Sequence, residues 1–182
     1  MARMAWHCAC LSAGMPDLIL TPEPLTPARF APFGQVVAVQ GQSPALPAWP
    51  INGGNAMRHE LLTDLRLTAE GGVPMLALFS AQARQFPLAV TELERHALGS
   101  QTFVPLGTQR FVVVVARPGP APQAGELQAF VTDGRQGVVL APGTWHHALL
   151  AVEGGDFVVV ERRAAAVDCE VCCLDPGVQL RL

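Results

Sequence analysis

Short apolar runs separated by proline and glycine follow one another along most of the chain. The runs with the length and the β-branched or aromatic content of strands are VPMLALFSA, PLAVTELERH, QTFVPL, QRFVVVVAR, LQAFVT, GVVLA, TWHHALLAV and DFVVVERR. No helical segment recurs between them, as a parallel α/β sheet would need. The pattern therefore predicts an antiparallel β-sandwich or barrel of roughly eight strands with few helices.

The remaining segments are predicted from their capping and turn residues. LTPARFAPFG predicts one short turn of helix, because Thr26 can cap it and Pro27 fits the first helical position. SPALPAWPINGGNA is so rich in Pro and Gly that we predict a loop ending in a flexible Asn-Gly-Gly. DGRQG and EGGD have the Gly and Asp residues of tight connections.

The length of 182 residues suits one domain. The opening MARMAWHCACLSAG lacks the apolar region and cleavage site of a secretory signal. We therefore expect residues 1–14 to be an N-terminal extension, either disordered or a start-site artefact with Met15 as the true start. Residues 15–182 are predicted to form the single domain.

Charge and hydropathy exclude two classes of partner. The net charge is −3 and no run of Lys or Arg occurs, so neither nucleic acid nor a membrane surface is expected as a partner. The apolar run FVVVVA falls far short of the roughly 18 residues that span a bilayer. Because 50% of the residues are hydrophobic and only 15% charged, we expect part of the apolar surface to lie in a homodimer interface.

Cysteine usage favours the cytoplasm. The five cysteines are an odd number without the spacing of a disulfide framework, which argues against a secreted scaffold. Cys8-x-Cys10 and Cys169-x-x-Cys172 have a spacing that could hold zinc. The rival interpretation is that they are ordinary small residues near the two chain ends.

Strand periodicity places the polar residues on faces. In PLAVTELERH the period of two puts Glu94 and His96 on the same side of the strand. The same rule separates His146 from His147, so at most one of them faces a barrel interior. For His147 alone, a hydrogen-bonded structural role is the favoured interpretation.

Two motifs resemble those of the cupin superfamily. The first cupin motif has His-x-His, then Glu and Gly; the second has Pro-Gly, two residues, then His. The corresponding residues here are Glu94, His96, Gln101 and Gly107, followed later by Gly137 and Pro142-Gly143-Thr144-Trp145-His146. The spacing is kept, but Glu94 replaces the first His and Gln101 replaces the Glu.

Four motifs resemble one family more closely. ERHALGSQTFVPL resembles the ERHPLGSQAFIPL-type signature of the ureidoglycolate lyases, and GTWHHALLAV resembles their GTWHHPL segment. INGGNAMRHE is similar to their INGGTA-type loop, and LTPARFAPFGQVV to their N-terminal opening. The resemblance implies an all-β fold, a cupin-like double-stranded β-barrel (jelly roll) with a few short helices. Ser80 departs from an Arg that is frequent in the family, which leaves Arg84 as the nearer basic residue.

The resemblance implies cleavage of (S)-ureidoglycolate to glyoxylate and urea in allantoin and purine catabolism, a carbon–nitrogen lyase reaction of the amidine-lyase type. Such an elimination needs a base, a proton donor and a group that binds the carboxylate. His96, His146 and Glu94 are the predicted catalytic residues. The predicted substrate contacts are Gln101, Arg84, Asn52, Gly53 and Trp145, of which Trp145 could equally fill the core.

The residues leave open whether the protein binds a metal. Glu94, His96, Gln101 and His146 are the ligands if a divalent metal such as Ni²⁺ binds, since two His and a carboxylate can hold a transition ion. Three rival interpretations remain. Glu94 could pair with a buried Arg such as Arg110; the chain could be a non-catalytic cupin that binds a small organic acid or sugar; or it could be another metal-dependent cupin enzyme.

Overall fold

The structure is built almost entirely of strands. The computed structural model describes residues 18–42, 45–61 and 64–182. The strands are β1 Leu18–Leu20, β2 Glu23–Pro24, β3 Gly34–Val37, β4 Ala48–Ile51, β5 Ala56–His59, β6 Val73–Ala81, β7 Leu88–Arg95, β8 Gln101–Pro105, β9 Phe111–Ala116, β10 Gln128–Val131, β11 Gly137–Leu140, β12 Trp145–His146, β13 Leu150–Ala151, β14 Gly155–Arg163 and β15 Glu170–Leu180. Residues 1–14 and Met15 lie outside the described residues.

The strands form two main sheets. The first sheet has the order β1-β15-β7-β12-β9-β10-β2, with β13 also paired to β9, and the second has the order β3-β11-β8-β14-β6. The pairs β1–β15 and β10–β2 are parallel, and the other described pairs are antiparallel. The all-β, cupin-like prediction is confirmed.

Two apolar clusters bury the faces of the first sheet. The inner core takes Val113 and Val115 from β9 and Phe103, Val138 and Val159 from the second sheet, so it lies between the two sheets. The outer core takes the alternate residues of β9 and packs against the opposite face of the first sheet. Every residue of β9 is therefore buried, because its two faces serve different cores.

The predicted helix is present. Helix α1 spans Pro27–Phe30, and the Thr26 side chain accepts a hydrogen bond from the Arg29 main-chain N–H at 3.4 Å. Single 3₁₀ turns occur at Asn52–Gly54, Ala69–Gly71 and Ala124–Glu126. In the part of the chain that the structure describes, no helix has the length and apolar character needed to cross a membrane.

The predicted loop in the SPALPAWPINGGNA segment is wrong. From residue 48 onward this segment and its continuation form a hairpin, in which β4 pairs antiparallel with β5. Pro50 is tolerated because it lies in a ribbon of two strands, where a missing N–H can face away from the partner. The Gly residues mark the turn of the hairpin rather than a long loop, with positive φ at Asn52, Gly53 and Gly54.

Strand prediction also missed β15 and joined two strands into one run. The eleven residues of β15 contain Pro176 and Gly177, and its pairing with β7 shifts register between Cys173 and Val178. This irregularity conceals the strand in the sequence. The single run predicted over TWHHALLAV is two short strands, β12 and β13, both paired with β9.

Candidate functional site

The candidate site lies at the edge of the inner core, where strands of both sheets bring polar residues together. His146 of β12 is in register with Glu94 of β7 and with Val115 of β9. Since cross-strand partners share a face, both Glu94 and His146 point toward the inner core. The side chain of His146 is almost fully buried.

Four residues form what we call the polar cluster: Glu94, His96, Gln101 and His146. The Nε2 atom of His146 lies 3.1 Å from Oε1 of Gln101 and 3.5 Å from Oε1 of Glu94. The rings of His96 and His146 have centroids 5.3 Å apart and are tilted by 49°. The sequence spacing alone had suggested this grouping, and the fold brings all four residues together.

Glu161 is a member of the site that the sequence did not reveal. The Gln101 side-chain N–H donates to Oε2 of Glu161 at 3.1 Å. Because a carboxylate only accepts, this contact orients the Gln101 amide so that its oxygen faces His146. The two residues are 60 positions apart and meet through the pairing of β8 with β14, which no local motif reports.

His146 has hydrogen-bond acceptors at both ring nitrogens. Its Nδ1 lies 2.9 Å from the Thr144 carbonyl oxygen, while its Nε2 faces Gln101 and Glu94. Each ring nitrogen of His146 therefore faces an oxygen that can accept a hydrogen bond.

His96 is arranged in the opposite way. Its Nδ1 lies 2.5 Å from the Asp168 carbonyl oxygen, and a carbonyl can only accept, so Nδ1 carries the proton. Its Nε2 is buried and has no hydrogen-bond partner among the described residues. His96 therefore has a free lone pair at Nε2, whereas both ring nitrogens of His146 face acceptors.

The electrostatics of Glu94 follow from the two histidines. Burial of the carboxyl acts to raise its pKa, but the hydrogen bond and charge of His146, together with the charge of His96, lower the pKa overall. Cys169 Sγ lies 3.8 Å from Oε2 of Glu94. Burial and the neighbouring Glu94 carboxylate raise the pKa of this thiol to about 11, so it stays protonated near neutral pH.

A cavity of about 340 Å³ opens onto His96. Its walls include Ser100, Glu161, Arg163 and Cys169. It lies where β14 ends and the segment 164–169 passes the end of β7. The cavity therefore lies beside the His96 side chain, although its Nε2 atom is itself buried.

Comparison with known proteins identifies the family of this chain. A family model described as "Ureidoglycolate lyase" matches residues 17–181. The chain belongs to the ureidoglycolate lyase family. It is 49% identical over 144 residues to a ureidoglycolate lyase of Burkholderia mallei, covering 79% of this chain and 82% of the relative. It is 40% identical over 153 residues to one of Azotobacter vinelandii (84% and 90% covered) and 44% identical over 153 residues to one of Pseudomonas fluorescens (83% and 89% covered).

The donor set of this ureidoglycolate lyase family member fits a divalent metal. Ligand atoms of Glu94, His96 and His146 all lie within 4.8 Å of one another. The buried and unpartnered Nε2 of His96 is the kind of atom a metal would satisfy. The amide oxygen of Gln101 faces the same space, so it can complete a set of two nitrogens and two oxygens.

The other predicted substrate contacts lie in three different places. Arg84 is exposed and lines a separate cavity of about 730 Å³ together with Ser80. Asn52 and Gly53 are exposed at the tip of the β4–β5 hairpin. Trp145 is fully buried in the outer core, on the opposite face from His146, and its Nε1–H donates to the Gly119 carbonyl at 3.2 Å.

His147 directly follows β12 and makes a different side-chain contact from His146. Its Nδ1 lies 2.8 Å from the Ala148 carbonyl oxygen. Burial lowers the pKa of His147, and the charge of Arg84 lowers it further against the opposing effect of the Ala148 carbonyl. At neutral pH His147 is therefore uncharged and its Nδ1 is already occupied.

The alternative partner suggested for Glu94 is wrong. Arg110 pairs with Glu153, its main-chain N–H and its guanidinium both donating to that carboxylate at 2.5–3.1 Å. The cause is local, since Arg110 immediately precedes β9 and its main-chain N–H also bonds the Glu153 side chain. Of the suggested zinc ligands, Cys8 and Cys10 lie outside the described residues, so that suggestion stays a prediction.

Proposed function

We propose that the protein cleaves (S)-ureidoglycolate to glyoxylate and urea, as a carbon–nitrogen lyase of allantoin catabolism. The observation that carries the proposal is the complementary surroundings of the two histidines: Nε2 of His96 has no hydrogen-bond partner among the described residues, whereas both ring nitrogens of His146 face acceptors. Membership of the ureidoglycolate lyase family names the substrate for which this pair is suited.

The reaction is an internal elimination that consumes no water. A base removes the proton of the substrate hydroxyl, and the oxygen electrons form the C=O bond of glyoxylate. The C–N bond breaks with its electron pair going to nitrogen. A proton delivered to that nitrogen completes urea, so the protein must take one proton and supply one.

The polar cluster contains one group for each transfer. Nε2 of His96 is the base for the hydroxyl, and the Nε2–H of His146 is the donor for the leaving nitrogen. The Glu94 carboxylate lies 3.5 Å from Nε2 of His146 and is proposed to orient this ring. Gln101 presents its amide oxygen to the same space and is the proposed contact for the ureido group.

A divalent metal, Ni²⁺ for example, would be held by Glu94, His96, His146 and the Gln101 oxygen. When bound, such an ion supplies a Lewis acid that makes a coordinated hydroxyl more acidic. Under this arrangement Glu161 still orients Gln101, and the segment carrying Asp168 still holds His96.

We assign the remaining substrate contacts by charge and chemistry. Arg84 is the proposed partner of the substrate carboxylate, because a guanidinium matches a carboxylate with two parallel hydrogen bonds. Asn52 and the main-chain N–H of Gly53 are proposed to bind a substrate oxygen. Both residues are exposed at a hairpin tip, and we propose that they contact a substrate bound in the other subunit of a dimer.

The protein is further proposed to act as a cytoplasmic homodimer, with residues 15–182 as one catalytic unit. The odd number of cysteines argues against a secreted disulfide scaffold, although Cys173 is disulfide-bonded. The apolar composition and the exposed leucines of β6 support the dimer. Fractionation of cells that express the protein, with a periplasmic marker enzyme as control, tests the location.

A coupled assay tests the proposed function. Purified protein is given ureidoglycolate, glyoxylate is followed, and urea and ammonia are measured separately, before and after chelator treatment. We expect glyoxylate with an equal amount of urea and no ammonia. His96→Ala and His146→Ala should each lower kcat by about 10²–10⁴-fold, the usual contribution of a positioned acid or base.

His147→Ala is the matched control for the two histidine variants. Its Nδ1 contacts the Ala148 carbonyl oxygen rather than a member of the polar cluster, so turnover should stay within about twofold of the unmodified protein. Release of ammonia in place of urea, or loss of activity in His147→Ala alone, would contradict the proposed chemistry. Activity that survives chelation would assign the proton transfers to the protein residues without a metal.

A further inference from the structure

Asp168 makes four contacts with the end of β7, although it is 72 residues away from His96 in the chain. Its main-chain carbonyl oxygen lies 2.5 Å from Nδ1 of His96. Its carboxylate accepts hydrogen bonds from the main-chain N–H groups of Ala97, Leu98 and Gly99 at 2.8, 2.9 and 3.0 Å. One residue therefore holds both the imidazole of His96 and the turn that follows it.

We propose that Asp168 is the positioning residue of His96. The carboxylate fixes the segment 164–169 against the turn, and this places the Asp168 carbonyl where it accepts the Nδ1 proton. The proton is then held on Nδ1, and the lone pair of Nε2 stays available. The inference rests on the proposed role of His96, but it concerns the free protein and needs no substrate.

A simple turn-capping role would not account for all four contacts. The carboxylate alone satisfies three N–H groups, which is the ordinary use of an aspartate beside a tight turn. The carbonyl contact goes further, because it selects one of the two neutral tautomers of His96. Outer partners that orient a histidine in this way have large effects on the group they orient.

The buried Nε2 of His96 shows why the tautomer matters. This atom has no hydrogen-bond partner among the described residues. A proton on Nε2 would be a buried donor with nothing to accept it, and a lone pair on Nδ1 would face the lone pairs of the Asp168 carbonyl. Both penalties disappear in the single tautomer that Asp168 favours.

The experiment compares Asp168→Asn with the unmodified chain, both free of metal. Nitrogen-15 NMR of histidine-labelled protein above pH 8 reports which ring nitrogen carries the proton, and loss of the signal in His96→Gln assigns it. We expect the native His96 to be one tautomer protonated at Nδ1. In Asp168→Asn the new NH₂ group cannot accept from the turn, so His96 should exchange between tautomers.

Turnover gives a second measurement. In Asp168→Asn kcat should fall by about 10–100-fold, the range found for outer partners of functional histidines, with KM changed much less. Asp168→Glu keeps the charge and should recover part of the single-tautomer signal. The matched control is Asp133→Asn, since the Asp133 carboxylate also accepts from a main-chain N–H, that of Arg135 at 2.8 Å, in another turn.

An unchanged Nδ1-protonated signal in a folded Asp168→Asn protein overturns the proposal. So does an equal loss of the single tautomer in Asp133→Asn, because that would show a general effect of weakened turns. Failure of the proposed lyase activity is distinguishable from both outcomes. In that case the native chain makes no glyoxylate, whereas the NMR comparison, made without substrate, still gives its answer.

Discussion

At the scale of single residues, donors and acceptors decide what the polar cluster can do. The sequence predicted Glu94, His96, Gln101 and His146 from spacing, and the fold brings them together. It could not predict which histidine holds a lone pair, because that depends on a carbonyl 72 residues away. Hydrogen-bond partners from distant strands leave no local pattern in a sequence.

The proposed carboxylate contact is tested by comparing two arginines. Arg84 lines the cavity of about 730 Å³, and Arg163 lines the cavity of about 340 Å³ that opens onto His96. Arg84→Gln should raise KM for ureidoglycolate by about 10–100-fold with little change in kcat, since a charged hydrogen bond is worth about 1.5–3 kcal/mol. Initial-rate kinetics measure the two constants separately.

Arg163→Gln is the matched variant for that comparison and should leave KM within about threefold. If Arg163→Gln raises KM while Arg84→Gln does not, the substrate carboxylate lies in the cavity beside His96. The assignment of Arg84 would then be wrong, and the lyase reaction would be unaffected.

At the scale of strands and turns, continuous apolar runs could be predicted and irregular pairing could not. The run VPMLALFSA corresponds residue for residue to β6, because it is an almost continuous apolar run that begins directly after a Gly-Gly pair. By contrast, β15 carries a Pro-Gly pair inside a long strand, and its register shift is visible only when β7 lies beside it. The β4–β5 hairpin was missed because its turn residues outweighed its short strands.

Gly34 tests the close packing of β3 against β11. This residue has φ of +151°, and an added Cβ would lie 1.9 Å from the Val139 carbonyl oxygen. Gly34→Ala should lower the free energy of unfolding by more than about 2 kcal/mol, since both the backbone and the neighbouring strand must move. Urea denaturation followed by circular dichroism measures the change.

Gly119→Ala separates backbone strain from the close approach. Its φ of +147° is nearly the same, but no atom lies within 4 Å of an added Cβ. We expect a loss of about 1 kcal/mol there, from the backbone conformation alone. If both variants lose the same free energy of unfolding, β11 moves aside at no cost. The close contact with Val139 would then add nothing to the backbone effect.

At the scale of the whole molecule, apolar side chains are divided between the core and the surface. Val113 and Val115 are buried in the inner core, yet Leu76 and Leu78 of β6 remain 72% and 68% exposed. They alternate with Met75 and Ala77, so they lie on the face of the edge strand that points away from the inner core. Composition predicted an excess of apolar surface, and the fold shows that one part of it lies on this edge strand.

That edge is the proposed homodimer contact, and its disruption is the test. Leu76→Glu with Leu78→Glu would place two carboxylates in the interface, so the chain should change from dimer to monomer in light scattering coupled to size-exclusion chromatography. Ile19→Glu is the matched control, because Ile19 is 49% exposed on β1 of the other sheet. A monomeric native chain, or a double variant that stays dimeric, would contradict the contact. If Asn52 and Gly53 act across the interface as proposed, the monomer should also lose affinity for the substrate, whereas a dimer needed only for stability would leave KM unchanged.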